Sequence, residues 1–271
     1  MSRSSRVAAE TVAAARSFLR RRTAVFFTFG FPVIIVVIFG VLVQTEAAGG
    51  GLFAEPPGWY VPGYLAIVVL FTPLSRVGSE VARHREGNRF EKLATTPLRR
   101  WEWLLAHTLV NVAVIGLAGL LLLGLVVGLT AASLSVGAAT VLLVPFVAVG
   151  VDGGMKTGYD VAVGALLGAW ADSQDGVVAA SNAIALPLLF LSETFVPQSM
   201  LPTWLPTDLS PLTYFARGVR AVTSPGWSAA ETQTGSTGPA LGSDPVLNLV
   251  VLTILALIAF AVAARALPRT G

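Results

Sequence analysis

Residues 103–151 read WLLAHTLVNVAVIGLAGLLLLGLVVGLTAASLSVGAATVLLVPFVAVGV and contain no formally charged side chain. A bilayer core about 30 Å thick needs about 20 predominantly apolar residues of α-helix to cross it. The stretch is long enough for two such helices, and the small residues 130–133 provide a turn between them. We therefore expect two membrane-spanning helices here, over 104–129 and 136–171.

Four further apolar stretches extend this pattern along the chain, at 24–43, 59–75, 177–196 and 246–264. The second opens with Trp59 and Tyr60, and such aromatic pairs are typical of the membrane–water interface. Charged residues make up 12% of the 271 residues and hydrophobic residues 54%, whereas soluble domains average about 25% charged. The sequence therefore predicts an all-α polytopic membrane protein with six transmembrane helices, in a single transmembrane domain over residues 1–271.

The basic residues predict the orientation of these helices. Of the 18 lysines and arginines, fifteen lie in residues 1–22, in the loop 76–103 and in the C-terminal tail, whereas the segment 197–245 has only Arg217 and Arg220. Lys and Arg are retained on the cytoplasmic side of a membrane. We therefore expect a multi-pass protein of the plasma membrane with both termini in the cytoplasm.

Residues 1–22 place apolar side chains at helical spacing among six arginines. This pattern predicts a helix that lies in the cytoplasmic membrane interface, and a solvated basic arm is the alternative. A cleaved signal peptide is a third interpretation, with Thr45-Glu46-Ala47 as its cleavage site. The apolar stretch 24–43 is, however, longer than the roughly 7–15 apolar residues of a signal peptide.

The composition excludes several kinds of chemistry. The absence of cysteine, with only two histidines, excludes thiolate metal sites, cysteine nucleophiles and a zinc site, so no metal site is expected. A net charge of +3 does not indicate a nucleic-acid partner. Residues 150–157 approach the phosphate-loop pattern, but Met155 stands where glycine must precede the lysine, so no nucleotide cofactor is expected in this chain.

Charged residues interrupt two of the predicted spans. Asp152, Lys156 and Asp160 share one helical face, where the lysine can pair with both carboxylates. Each charge inside a membrane costs at least about 2.5–3.5 kcal/mol on insertion scales. Three interpretations are open: a self-neutralised stripe between helices, a helix that breaks at the neighbouring glycines, and a polar wall of a substrate path. Glu193, near the outer end of the fifth span, has the same ambiguity.

The segment 197–245 combines prolines with short apolar pieces. These pieces are too short to cross a bilayer and apolar enough to enter it, which predicts a re-entrant hairpin between spans five and six. Residues 212–222 have a helical pattern, and residues 223–244 have the Gly, Ser, Thr and Pro content of an exposed loop.

Two motifs resemble those of a known family. Residues 83–98 read RHREGNRFEKLATTPL, similar to that family's R-E-x-G-T-x-E-x-L-x-x-T-P segment, and residues 187–197 read PLLFLSETFVP, similar to its P-L-x-F-L-S-G-x-F-F-P signature. The family is that of the type-2 permeases of ABC exporters, which include drug, polysaccharide and O-antigen exporters. The chain departs from it at Glu193, where the family usually has glycine, and in its charged fourth span.

The resemblance implies a homodimer, or a heterodimer with a second permease, that carries two copies of a separate cytoplasmic ABC ATPase. ATP and Mg²⁺ would be bound by that partner. An ATPase-coupling helix is implied in the loop, on residues Glu86, Gly87, Arg89, Phe90, Glu91, Leu93, Thr96 and Pro97. An extracellular gate is implied in the re-entrant segment, on residues Pro197, Leu201, Pro202, Trp204 and Pro211.

The expected function is that of a permease subunit, itself not an enzyme, which exports a hydrophobic or amphiphilic drug, lipid or glycan by alternating access. One alternative is an ion-coupled secondary transporter that uses the charged residues of spans four and five as a proton relay. Another is a membrane CDP-alcohol phosphotransferase, suggested by Asp152-Gly153 with Asp172 and Asp175, although the last two are spaced differently in that motif. A purely structural membrane anchor is the remaining interpretation.

Overall fold

The computed structural model describes residues 3–38, 55–71, 100–130, 142–150, 174–202, 204–205, 207–223 and 244–266. All regular secondary structure in these residues is helical, as the hydropathy pattern predicts. The α-helices are α1 (Arg3–Leu19), α2 (Arg22–Val36), α3 (Val61–Ala66), α4 (Arg100–Leu129), α5 (143–150), α6 (Gln174–Phe190), α7 (Pro211–Thr223) and α8 (Pro245–Ala266). Three short 3₁₀ segments and a π-helical turn complete them, at Pro57–Tyr60, Gln198–Met200, Thr207–Leu209 and Ile67–Phe71.

One helix within the described residues is long and apolar enough to cross a membrane, over Leu105–Leu129 in α4. Shorter apolar helices overlap the predicted first, second and sixth spans, at Ala24–Val36, Gly58–Leu70 and Pro245–Ile258. Most of the predicted fourth span lies outside the described residues. The six-span topology therefore stays a prediction.

The described core is centred on the start of the second predicted span. Every residue from Gly58 to Leu70 is buried, and this segment contacts α2, α4, α6 and α7. A helix that is apolar on all sides is stable when it is enclosed by other elements. Trp59 and Tyr60, which we expected to anchor the chain in the membrane interface, are each 1% exposed and are covered by protein.

Two peripheral helices pack on this core, α1 against α4 and α8 against α7. The outward faces of α4 and α8 are apolar, with Leu117 61% exposed and Leu257 59% exposed. Apolar faces of this extent on both helices suit contact with lipid rather than water.

Helix α6 ends at Phe190, whereas the predicted fifth span continued to Val196. Leu191 donates the last helical hydrogen bond, to the carbonyl of Pro187 at 2.8 Å. Two residues later Glu193 has a φ of 58°, which is left-handed and incompatible with a continuing right-handed helix. The chain turns back over residues 191–196, and this turn builds the site described next.

Candidate functional site

Residues 192–196 of the turn at 191–196 are buried, although the turn consists largely of irregular backbone. Ser192 and Thr194 are fully buried, and both hydroxyls donate to the carbonyl of Leu189, one of the free carbonyls at the end of α6. Gly63 of α3 lies against the turn, since a Cβ at that position would come within 2.8 Å of the Phe195 ring. The turn is therefore packed directly on the second predicted span.

Arg217 on α7 joins the turn to the segment that precedes α7. Its Nε donates to Oε2 of Glu193 at 2.9 Å, and its Nη2 donates to Oε1 of the same carboxylate at 2.7 Å. The remaining branch, Nη1, donates to Oδ1 of Asp208 at 2.8 Å. The side chain of Glu193 is 6% exposed, whereas that of Asp208 is 64% exposed. The guanidinium thus has one buried, bidentate partner and one solvent-facing partner.

Arg220 lies one helical turn after Arg217, so both side chains project from the same face of α7. It is 2% exposed. Its Nη2 donates to the backbone carbonyls of Glu193 and Thr194, and its Nε donates to the carbonyl of Trp59 at 3.3 Å. The guanidinium carbon also lies 3.9 Å from the centre of the Trp59 ring, which is the geometry of a cation–π interaction.

Trp59, Glu193, Asp208, Arg217 and Arg220 are called the arginine clasp below. Burial alone lowers the pKa of the Arg217 guanidinium, but the hydrogen bond and charge of Glu193, together with Asp208, outweigh this effect and raise the pKa. The guanidinium of an arginine stays protonated in proteins, and the partners of Arg217 compensate much of the desolvation cost that its partial burial imposes.

The residues implied as the extracellular gate lie between this turn and α7. Pro197 is buried at the end of the turn, and Pro211 begins α7. Leu201 is half-buried, and Pro202 is exposed. Trp204 is 78% exposed. Helix α7 itself matches the helical pattern predicted over residues 212–222.

A second ionic cluster joins α1 to the base of α4 and is called the N-terminal clamp. Glu102 is fully buried, and it accepts hydrogen bonds from Arg6 at 2.7 Å and 3.2 Å. The hydrogen bond that Arg6 donates to Glu102 raises the pKa of Arg6. One helical turn further on, Glu10 lies 3.6 Å from His107. Helix α1 is thus held against protein along one face, while Val12 and Leu19 on its opposite face are exposed.

The predicted site residues have different outcomes. The ATPase-coupling residues in 86–97 lie outside the described residues, as do Asp152, Lys156 and Asp160. Glu193 is described, and its carboxylate is engaged by Arg217. The described residues therefore include only Glu193 of the predicted substrate path, and the role of that path stays a prediction.

Sequence reasoning did not select Arg217, Arg220, Asp208, Arg6 or Glu102 as site residues. A signal for the first two was present, because they are the two arginines of the predicted external segment and lie three residues apart. Long-range partners such as Arg6 and Glu102 are separated by 96 residues, and no local pattern indicates their pairing.

In a comparison with known protein families, residues 7–223 match the ABC-2 type transporter family. A comparison with curated proteins found no match. The matched region includes α1 from residue 7 onward, the predicted coupling loop and the arginine clasp. Because the match covers most of the 271 residues, the chain belongs to the ABC-2 type transporter family, the membrane permease subunits of ABC transporters.

Proposed function

We propose that the chain is the permease of an ATP-driven exporter that moves a hydrophobic or amphiphilic substrate outward by alternating access. The observation that carries the proposal is the ABC-2 match over residues 7–223, which includes the loop resembling an ATPase-coupling segment. The working unit is a dimer of permeases with two cytoplasmic ATPase subunits, and ATP and Mg²⁺ bind to those subunits.

The N-terminal clamp supports a mechanical role for this loop. Helix α4 begins at Arg100, directly after the predicted coupling residues, and Glu102 in its first turn bonds Arg6 of α1. A displacement of the loop would therefore act on α4 and α1 together. In this proposal the ATPase moves the loop, and the clamp passes that movement to the membrane helices.

We propose six spans with both termini in the cytoplasm. The two arginines that oppose this orientation both belong to the arginine clasp, in which Arg220 is buried and the side chain of Arg217 is 13% exposed. Their charges are matched by carboxylates and carbonyls within the protein, so they are not free surface charges of the external segment. Because these two arginines are paired within the protein, they do not count against the orientation that the other basic residues predict, with both termini in the cytoplasm.

The topology leads to a direct labelling prediction. Because the chain has no cysteine, single cysteines can be introduced one at a time and labelled in sealed cells with a membrane-impermeant maleimide. Gly50→Cys and Gly235→Cys should react from outside, whereas Arg89→Cys and Gly271→Cys should react only after the membrane is opened. External labelling of Gly271→Cys in sealed cells would contradict the six-span arrangement.

The coupling role is tested by a double substitution in the loop. Glu91→Lys with Leu93→Asp reverses a charge and removes an apolar contact, so it should reduce both ATPase association and ATP-dependent transport by at least about tenfold, a loss of about 1.4 kcal/mol in binding. The measurement combines affinity purification of the inserted protein, ATP hydrolysis by the purified complex, and transport in vesicles.

Glu80→Lys is the matched control, because it makes the same charge reversal in the same loop outside residues 86–97. It should leave ATPase association and transport near the parent values. Full association and transport in the Glu91→Lys, Leu93→Asp variant would mean that the loop is only a connection between spans two and three.

A further inference from the structure

Residue 193 makes two separate contributions to the arginine clasp. Its carboxylate pairs with Arg217, and its backbone carbonyl accepts a hydrogen bond from Arg220. The two arginines lie on one face of α7, so they hold the same turn through its side chain and through its backbone. The position of the carboxylate and the position of the carbonyl are therefore linked.

The backbone conformation at Glu193 is energetically unfavourable for a residue with a side chain. Among the described residues, Glu193 is the non-glycine residue with positive φ, at 58°. A side chain disfavours this left-handed conformation, which glycine adopts readily. Glutamate therefore raises the backbone energy here, and the bidentate pair of its buried carboxylate with Arg217 is the interaction that offsets this cost.

We propose that Glu193 is a positioning residue that locks the turn 191–196 to α7 and to the start of the second span. The carboxylate holds the left-handed bend, and the bend places the carbonyls of Glu193 and Thr194 where Arg220 also reaches the carbonyl of Trp59. Three segments distant in sequence are thereby joined through two neighbouring arginines.

If the chain is an exporter permease as proposed above, the link made by Glu193 affects the transport cycle. Because the turn, α7 and residue 59 are joined, the segment between the fifth span and α7 moves together with the second span. The substrate then leaves beside this joined group of segments and not through the turn 191–196. The packing of that turn does not open during ATP hydrolysis.

The test uses the buried Ser192 as a reporter. Ser192 is fully buried, and Ser192→Cys is nearly isosteric in a chain without other cysteines. In the parent background, a membrane-impermeant maleimide should label Ser192→Cys slowly, both at rest and during ATP hydrolysis. Trp204→Cys, at a position 78% exposed, is the positive control for labelling from the same side.

Adding Glu193→Gln should raise the labelling rate of Ser192→Cys by roughly 10- to 100-fold, the factor expected when a hydrogen-bonded charge pair is lost. Arg217→Gln should act in the same direction, and Arg217→Lys should restore part of the protection because it keeps one charged donor. Asp208→Asn is the matched control. It removes the solvent-facing partner of the same arginine, and labelling should change by less than about threefold.

Glu193→Gly covers the case in which Glu193→Gln fails to fold, since glycine relieves the left-handed backbone while removing the carboxylate. Glycine keeps the bend but loses the link to Arg217, so this variant should fold with labelling above that of the parent and below that of Arg217→Gln. Parent-like protection in Glu193→Gly or Glu193→Gln, together with protection in Arg217→Gln, would overturn the proposal. The resting measurement needs no ATPase, so its result stands apart from any failure to find ATP-driven transport.

Discussion

Arg220→Met is expected to reduce the folded yield of the protein severely. The substitution removes the donor that three backbone carbonyls share, and it removes the positive charge from the face of the Trp59 ring. Hydrogen bonds to charged groups contribute about 1.5–3 kcal/mol each, and a desolvated cation–π contact adds about 2 kcal/mol. A destabilisation of at least about 3 kcal/mol follows, to be measured as thermal unfolding of the detergent-solubilised protein.

Arg220→Lys separates the charge from the geometry of the guanidinium. An ammonium group keeps the charge but cannot extend planar donors toward carbonyls on two segments. Its stability should fall between those of the parent and Arg220→Met. A parent-like unfolding temperature for Arg220→Met would show that Arg220 does not hold the turn and the second span together.

Gly218→Ala is also expected to destabilise the protein, for a steric reason. Gly218 on α7 faces the fully buried ring of Phe146 on α5, and a Cβ at position 218 would overlap that ring. Overpacking of this kind costs about 1–3 kcal/mol, and more where the neighbour is rigid backbone or a confined ring. The unfolding temperature of the purified variant should fall clearly below that of the parent.

A second substitution tests whether Phe146 is the obstacle. Phe146→Leu shortens the opposing side chain, so the Gly218→Ala, Phe146→Leu pair should be more stable than the sum of the two single effects predicts. Gly116→Ala is the control, because position 116 on α4 has open space around it and alanine favours a helix. Strict additivity of the pair would mean that α7 and α5 do not approach each other as described.

The hydrophobic pattern of the sequence predicted the helical elements. It did not predict which charged residues pair with one another. Residues 212–222 were expected to be helical, and α7 covers Pro211–Thr223. The end of α6 at Phe190 depends on the left-handed bend at Glu193, which is stabilised by Arg217 from 24 residues further on. Hydrophobic periodicity reports which residues prefer to be buried, but not which distant group compensates a buried charge.

The N-terminal helix α1 was likewise predicted as an element, whereas its contacts with the rest of the protein were not. Its existence followed from the spacing of apolar residues, which we assigned to one membrane-facing side. In the structure that apolar set is divided, because Phe18 packs into the protein while Val12 and Leu19 are exposed. The division arises because Arg6 must reach the buried Glu102 on α4. The rotation of a helix about its axis is set by such tertiary contacts.

The central claim, that ATP hydrolysis by a partner drives transport through this chain, is tested most directly in inside-out membrane vesicles. Uptake of a panel of amphiphilic dyes and fluorescent lipids would be measured with ionophores present to remove every ion gradient. ATP with Mg²⁺ is expected to drive uptake in vesicles that contain the parent chain and not in vesicles with Glu91→Lys, Leu93→Asp. Uptake that follows an imposed ion gradient and needs no ATP would contradict the account.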